Sequence, residues 1–143
     1  MFRKTVLYAA LAVFLIFSLT KVFHKDRSNP ETVLQDYLKH WKSDNSTGMY
    51  SLISLRAKAE LQRRGVSKVT DYYAYFVDNR SDLRGFDVRS RDLKESNGRY
   101  YVTLRYNDMV GREIAEEATF YVVKEADGWR IDNWLQGGNY HLP

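Results

Sequence analysis

Cysteine is absent from the 143-residue sequence. This absence excludes a disulfide framework, a thiolate metal site, a cysteine nucleophile and a lipid-modified cysteine. Any attachment to a membrane must therefore be made by the polypeptide itself.

The main part of the chain also lacks net charge, although the whole sequence carries +4. Residues 1–27 hold five of the 22 Lys and Arg but only one of the 18 Asp and Glu, so the remaining residues are balanced at 17 of each sign. The excess of positive charge flanks the N-terminal segment, as is typical beside lipid headgroups. A nucleic-acid partner is therefore not expected.

An uncharged, largely apolar run extends from Thr5 to Thr20, and Val22 and Phe23 lengthen it if Lys21 reaches the headgroups. About 19 residues result, which is enough for one helix across a bilayer core. The run is not followed by the small residues of a signal-peptidase site, which favours a retained signal anchor over a cleaved signal peptide. A buried core helix is a third alternative.

Positive charge lies on both sides of this run, with Arg3 and Lys4 before it and Lys21, Lys25 and Arg27 after it. The positive-inside rule is thus close to a tie. We expect an extracytoplasmic domain, because a short N-terminus followed by an apolar run behaves as a signal anchor. The predicted organisation is an N-terminal tail (1–4), a transmembrane anchor (5–23), a linker (24–29), one folded domain (30–136) and a C-terminal tail (137–143).

Three helices are predicted in the first half of the domain. The first, Pro30–Lys42, has Asn29 as N-cap and one apolar stripe, formed by Val33, Leu34, Tyr37, Leu38 and Trp41. The second, about Thr47–Arg63, is apolar on two sides and should lie between other elements. The third begins after Gly65 with Ser67 as cap, and its apolar positions are Val69, Tyr72, Tyr73, Phe76 and Val77.

From Asp82 onward the apolar pattern alternates with a period of two, which predicts strands. Asn97-Gly98 and Asp127-Gly128 indicate two-residue hairpin turns, and Gly111 lies in the loop between the middle strands. A change of phase between Val88 and Leu93 predicts a bulge. The predicted strands are Leu83–Glu95, Arg99–Asn107, Glu117–Glu125 and Trp129–Leu135, of which the third is apolar on both faces and should be central or covered on both sides.

The order of three helices followed by a four-stranded antiparallel meander resembles the nuclear transport factor 2-like (cystatin-like α+β) superfamily. Two segments carry the resemblance, namely Gly128-Trp129-Arg130-Ile131 in the last strand and Pro30-Glu31-Thr32-Val33-Leu34 at the start of the first helix. The resemblance covers roughly residues 30–135. It implies a cone-shaped space between the helices and the sheet. The chain is similar in layout to bacterial membrane-anchored domains of unknown function and to the tethered subunits of type IV secretion and conjugation machines. The superfamily also includes isomerases, dehydratases and cyclases.

The sequence shows little sign of catalysis. Of the three histidines, His24 and His141 lie in the linker and the tail, and His40 with Asp36 is interpreted as a solvated pair. No spacing of His and carboxylates predicts a metal site, and no glycine-rich loop predicts a phosphate site. We therefore expect no catalytic residues, no metal and no cofactor. Asp132 lies opposite Trp129 and Ile131 on its strand, and should be solvent-facing or paired.

Three candidate sites remain. The resemblance implies a pocket in the cone, with Tyr37, Trp41, Tyr100 and Tyr106 as lining candidates, although core packing is the simpler interpretation of these side chains. A second candidate is a basic patch that could dock anions, made of Arg56, Lys58, Arg63 and Arg64, although cations at a helix C-terminus are common. The third is a sheet face not covered by helices, with Tyr101, Thr103, Arg105, Tyr121, Val123 and Trp134 as interface candidates.

These observations predict a non-catalytic, membrane-tethered assembly subunit of an envelope complex. Its expected location is the bacterial plasma membrane, with a single-pass anchor and the domain outside the cytoplasm. Its expected partners are the membrane, other envelope proteins and a second copy of the chain. The alternative is a small-molecule-binding or isomerase- or dehydratase-like domain that uses the cone as its pocket.

Overall fold

A computed structural model describes residues 26–69, 71, 82–107 and 110–132 of the chain. These residues form three helices followed by four strands, and the strands make one antiparallel sheet in the order β1-β2-β3-β4. The predicted α+β class, with helices packed on a four-stranded antiparallel sheet, is confirmed. The elements are α1 (Pro30–Lys42), α2 (Ser46–Leu52), α3 (Leu55–Arg63), β1 (Asp82–Leu93), β2 (Asn97–Asn107), β3 (Glu113–Glu125) and β4 (Gly128–Ile131).

Helix α1 has the predicted bounds. The Asn29 side chain accepts a hydrogen bond from the backbone N–H of Glu31, and Pro30 occupies the first turn, where its missing N–H has no partner to lose. All five residues of the predicted apolar stripe are buried, namely Val33, Leu34, Tyr37, Leu38 and Trp41. The amphipathic pattern therefore gave both the helix and its packing face.

The single helix predicted over residues 47–63 is wrong, because the chain makes two helices there. Ile53 and Ser54 are extended, and Ile53 forms a parallel bridge with Ile131 of β4. The Ser54 N–H donates to the Ile131 carbonyl at 2.8 Å, and its hydroxyl caps α3 at the N–H of Ala57. Pairing with a distant strand thus interrupts a sequence that is helical on either side.

The hairpin turns lie slightly earlier than predicted. Gly98 pairs with Leu93 and is part of β2, so the first turn lies before Asn97. A Cβ at Gly98 would lie 2.5 Å from Leu93 Cδ2, which explains glycine at this position. In the second hairpin, Gly128 is the first residue of β4 and has φ +121°, in the region that favours glycine.

The predicted bulge in β1 is confirmed. The register shifts between Val88 and Ser90, and a second shift lies between Leu83 and Gly85. Strand β3 pairs with β2 over Glu113–Val123 and with β4 over Val122–Glu125, so its apolar half is central, as its two apolar faces predict. It also begins earlier than predicted, since exposed charged residues from Glu113 onward are held in the sheet by β2.

The core lies between the helices and one face of the sheet. Tyr100, Val102 and Leu104 of β2 point into it with Phe120 and Val122 of β3, as the period-two pattern predicts. The alternate side chains of these strands form the other face.

Several predictions fall outside the described residues. These are the transmembrane anchor (5–23), the third helix beyond Asp71, Trp134 and the C-terminal tail (137–143). At the point where the third predicted helix should begin, the Asp71 carboxylate accepts hydrogen bonds from the N–H groups of Ser67 and Lys68 at 3.2 and 3.1 Å. Over the described ranges, no helix has the length and apolar character needed to cross a bilayer.

Candidate functional site

The candidate site is the sheet face that points away from the core, which we call the open face. The register places its residues in two rows. Tyr101 lies opposite Thr119, and Arg99 lies opposite Tyr121. Five of the six predicted interface residues lie on this face, and they are Tyr101, Thr103, Arg105, Tyr121 and Val123. Period two therefore predicted the membership of the face correctly.

Two tyrosines form the centre of the open face. Tyr101 and Tyr121 are diagonal neighbours on adjacent strands and are half-buried, as is Val123. Diagonal neighbours are about 7–8 Å apart across a sheet, within reach of aromatic rings. The guanidinium of Arg99 lies over the Tyr101 ring at 5.7 Å from its centroid. The face thus offers an aromatic surface that its own chain covers only in part.

A polar chain crosses the open face from β1 to β3. Arg89 Nε donates to Thr103 Oγ1 at 2.9 Å, and Thr103 Oγ1 donates to Glu117 Oε1 at 2.6 Å. Arg89 can reach Thr103 because it is the residue inserted at the bulge between Val88 and Ser90. Thr103 is only 7% exposed, so both of its hydrogen bonds satisfy a buried hydroxyl.

The other two arginines of the open face are bound to carboxylates. Arg105 is paired with Asp87, and its guanidinium passes over Gly85, where a Cβ would lie 3.0 Å from Nη2. The hydrogen bond from Arg105 lowers the pKa of Asp87 below its usual range. Arg99 Nη2 lies 3.1 Å from Asp92 Oδ2, and this contact raises the pKa of Arg99. Each of these two arginines therefore has an aspartate beside it that offsets its charge.

A cleft of about 210 Å³ adjoins the open face. It is lined by Asp92, Lys94, Asn97, Gly98, Arg99 and Tyr121. Sites for drug-sized molecules usually measure about 300–1,000 Å³ and are mostly apolar, whereas this cleft is smaller and polar. We interpret it as the polar rim of the open face.

Solved structures with this arrangement of elements come from proteins of different kinds. They include a SEC-C motif-containing protein from Rhodopseudomonas palustris (17% identity, TM-score 0.56, covering 74% of this chain and 78% of that one). A Δ5-3-ketosteroid isomerase from Mycobacterium sp. (12%, TM-score 0.52, 76% and 94%) and a candidate calcium/calmodulin-dependent protein kinase type II association domain from Thiobacillus denitrificans (15%, TM-score 0.53, 73% and 90%) are also similar. The fold is nuclear transport factor 2-like.

No protein-family model and no curated protein sequence matches the chain. At these identities, the structural likeness establishes the fold alone, because this fold carries many functions. The similar structures include an isomerase and an association domain. The nuclear transport factor 2-like fold is therefore compatible with both functions considered from the sequence.

The predicted pocket residues of the nuclear transport factor 2-like cone lie on the core side of the domain. Tyr37 and Tyr100 are completely buried, Trp41 is nearly so, and Tyr37 packs edge-on against Phe120 with ring centroids 6.2 Å apart. Burial raises the pKa of the Tyr100 phenol, and the Glu31 carboxylate raises it further. These three aromatic side chains are part of the hydrophobic core.

Tyr106 differs from the other pocket candidates because it is partly exposed. Its hydroxyl donates to Glu116 Oε2 at 2.5 Å. This hydrogen bond is the main cause that raises the pKa of Tyr106. A phenol bonded to a carboxylate has the chemistry of an acid–base pair.

The four residues of the predicted basic patch all have intramolecular contacts. Arg56 is paired with Asp132, while Arg63 and Arg64 both contact Glu60, at 2.9 and 3.5 Å. Lys58 Nζ lies 5.0 Å from the centroid of the Tyr50 ring. As a docking site for anions the patch stays a prediction, and binding there would compete with these contacts.

Asp132 is buried and paired. Its carboxylate accepts from Ser54 Oγ at 2.5 Å and from Arg56. The paired alternative is thus confirmed, and the solvent-facing alternative is wrong. The position at the N-terminus of α3 also places this anion where the helix dipole is favourable.

A charged cluster surrounds Arg130, whose side chain is only 5% exposed, and it was not predicted from the sequence. Arg130 is paired with Asp127, and its Nε lies 3.8 Å from Glu125 Oε2. Burial, followed by the nearby Arg27, lowers its pKa. Burial and Arg130 likewise lower the pKa of Lys58. The signal that could have revealed the cluster is a pair of acids at the second hairpin turn, Glu125 and Asp127, followed by Arg130.

His40 contacts two residues that follow α1. Its Nδ1 lies 3.1 Å from the side-chain nitrogen of Asn45, and its ring packs on Gly48, where a Cβ would lie 2.5 Å from it. Asp36 Oδ1 lies 4.0 Å from Lys39 Nζ. In the part of the chain that the structure describes, no three His, Cys, Asp or Glu side chains are grouped as metal ligands would be.

Proposed function

We propose that the protein is a non-catalytic, membrane-tethered assembly subunit of a bacterial envelope complex, and that it binds other proteins through the open face. The observation that carries the proposal is the half-buried aromatic centre of that face, Tyr101 and Tyr121 with Val123. Tyrosines at the centre of a protein interface, with polar residues around them, are typical of protein-binding surfaces. The N-terminal anchor predicted over 5–23 supports the membrane location.

The charges of the open face support binding by shape and apolar contact. Arg99 and Arg105 are each bound to an aspartate, and Arg89 to Thr103. A partner would therefore meet few uncompensated charges at the aromatic centre, and electrostatic steering would be weak. A second copy of the chain is a suitable partner, because a locally neutral face can pack against itself in a two-fold dimer.

The first test is the assembly state of the full-length chain in detergent, measured by light scattering. Arg105→Glu places an acid beside Asp87 on the open face, and should weaken association while the circular dichroism spectrum is unchanged. Arg63→Glu is the matched control, since Arg63 is also an exposed arginine with one carboxylate partner but lies on α3. An assembly mass that is the same for both variants and for the wild type contradicts association of copies through the open face.

The second test asks whether any partner contacts this face in cells. A photo-crosslinking amino acid at Tyr121 should yield a discrete adduct, whereas the same group at Leu55, which is 70% exposed on α3, should not. Adducts from Leu55 with none from Tyr121 would contradict the proposed binding face. Retention of the chain in the membrane pellet after alkaline extraction tests the anchor separately.

One observation favours the alternative, a small-molecule-binding or isomerase- or dehydratase-like domain. Tyr106 and Glu116 form a partly exposed phenol–carboxylate pair on the core side of the sheet. If the pair binds a ligand, Tyr106→Phe should abolish the thermal stabilisation that the ligand confers. Under the proposed function, the same substitution leaves the assembly mass unchanged. The alternative therefore predicts a loss of ligand stabilisation, whereas the proposed function predicts no effect of Tyr106→Phe on assembly.

A further inference from the structure

Arg27, near the end of the predicted linker, is part of the folded domain. The N–H of Trp129 donates to the Arg27 carbonyl at 2.8 Å. The Arg27 side chain reaches Asp127 at 3.3 Å and the carbonyl of Ser51 at 3.3 Å. Gly128 lies so close that a Cβ there would be 2.7 Å from the Arg27 carbonyl oxygen. The chain is therefore fixed against β4 at Arg27.

The distance from Arg27 to the predicted anchor is short. The anchor ends at Phe23, and the four peptide units between Phe23 and Arg27 span at most about 14 Å when fully extended. The headgroup layer on one side of a bilayer is about 5–8 Å thick. Arg27 must then lie within roughly 10 Å of the outer edge of the headgroups.

Both hairpin turns lie at the same end of the sheet as Arg27. The Lys124 N–H donates to the Ser96 carbonyl at 2.7 Å, which joins the first turn to the end of β3. Glu125 pairs with Gly128 at the second turn. We call this the turn end. The opposite end, at Asn107 and Glu113, lies about 30 Å away along β2 at the usual rise of a strand.

The turn end carries charges of both signs, and its lysines suit a headgroup layer although Glu95 is also exposed there. Lys94 and Lys124 are exposed and can reach lipid phosphates. Leu55 is 70% exposed, and its N–H donates to Glu125 Oε1 at 2.7 Å, which places it near this end. An exposed leucine beside lysines is a common combination where a protein surface meets the lipid interface.

We infer that the turn end of the sheet rests against the phospholipid headgroups, so that the strands stand upright on the membrane and the open face points sideways. This inference rests on the proposed anchor. It adds a lipid-contacting surface and a fixed orientation, which follow from the docking of Arg27 on β4. A partner protein would then approach the open face from beside the domain.

The absence of cysteine makes the test direct. The full-length chain carrying either Glu95→Cys, in the turn before Asn97, or Glu113→Cys, at the opposite end, is labelled with one fluorophore. It is then reconstituted in phosphatidylcholine–phosphatidylglycerol vesicles that contain lipid with a nitroxide headgroup. Both positions are exposed glutamates, so the pair is matched. We expect loss of emission for the Glu95→Cys label and none for the Glu113→Cys label.

A lengthened linker is the second arm. Insertion of about ten Gly and Ser residues between Lys25 and Asp26 lets the domain move away from the bilayer, and should restore the emission of the Glu95→Cys label without altering the circular dichroism spectrum. Equal emission from both labels, or quenching of Glu113→Cys alone, in protein that stays in the membrane after alkaline extraction overturns the orientation and leaves the anchor standing. Protein that is extracted by alkali overturns the anchor and the inference together.

Discussion

Tyr100 and Tyr101 are neighbours in the sequence and occupy opposite surroundings. Tyr100 is completely buried among the core residues of β2 and β3, whereas Tyr101 is half-buried on the open face beside Arg99. The same residue type thus serves packing on one face of the sheet and a partly uncovered surface on the other. The difference shows that the face of a strand, and not the residue type, decides whether a tyrosine here is structural or available for binding.

The greatest loss of stability is expected from a substitution on the core side of the sheet. Phe120→Ala removes a completely buried ring that packs against Tyr37, and should lower the free energy of unfolding by about 3–5 kcal/mol. Tyr121→Ala, one residue along β3 on the open face, is the matched control and should cost less than about 1 kcal/mol. Denaturant unfolding of the full chain in detergent measures both. Similar losses for the two variants would mean that the two faces are equally buried.

A smaller effect is expected from the buried hydroxyl of the open face. Thr103→Val keeps the side-chain shape but removes the hydrogen bonds from Arg89 and to Glu117. The loss of stability should be about 0.5–1.5 kcal/mol, the net contribution of a typical hydrogen bond, because Arg89 and Glu117 are exposed and water can replace the lost contacts. Thr119→Val, on the same face of β3, serves as the comparison. The prediction fails if Thr103→Val is as stable as the wild type.

Alkaline pH should reveal the effect of the buried Tyr100 phenol on stability. Burial raises the pKa of this phenol in the folded state, while in the unfolded state it ionises near pH 10. Above about pH 10 the unfolded state loses its proton first, so wild-type stability falls as pH rises. Tyr100→Phe should be free of this part of the loss. The unfolding midpoints of the two proteins are compared from neutral to alkaline pH. We expect the midpoint of the wild type to fall further than that of Tyr100→Phe.

The smallest effect is expected at Asp87 on the open face, where the pKa is lowered by Arg105. A lowered carboxyl pKa stabilises the fold above the unfolded value near 3.9, and the contribution disappears as pH falls through the folded value. Asp87→Asn should therefore melt slightly below the wild type at neutral pH and match it in strong acid. A melting difference that is constant across this range would show that the ion pair contributes nothing.

Local sequence signals predicted much of the fold. Asn29 and Pro30 marked the start of α1, and alternation along β2 assigned Tyr100 to the core and Tyr101 to the open face. What they missed depends on distant pairing. The break at Ile53 is set by Ile131, and the early start of β3 at Glu113 is set by β2. No short window of sequence contains both partners of such a pair.

The same reason limits prediction of the site. Five of the six predicted interface positions lie on one face of the sheet, as period two predicts, and their use as an interface stays a prediction. The hydrogen bonds that link Arg89, Thr103 and Glu117 depend on the register of three strands and on a bulge. The lowered pKa of Arg130 depends in part on Arg27, which is far away in the sequence but close in the fold.

The docking of Arg27 on the last strand has a consequence for synthesis. The bonded residues Arg27 and Asp127 are separated by 100 positions, and Ser54 and Asp132 by 78. Contacts of such long sequence separation close late in folding. During translation, the helices that emerge first can pack on β2 and β3, but the contacts of Arg27 and Ile53 with β4 cannot form until β4 leaves the ribosome. A chain that stops before Trp129 should therefore be recognised by chaperones or proteases instead of reaching the native state.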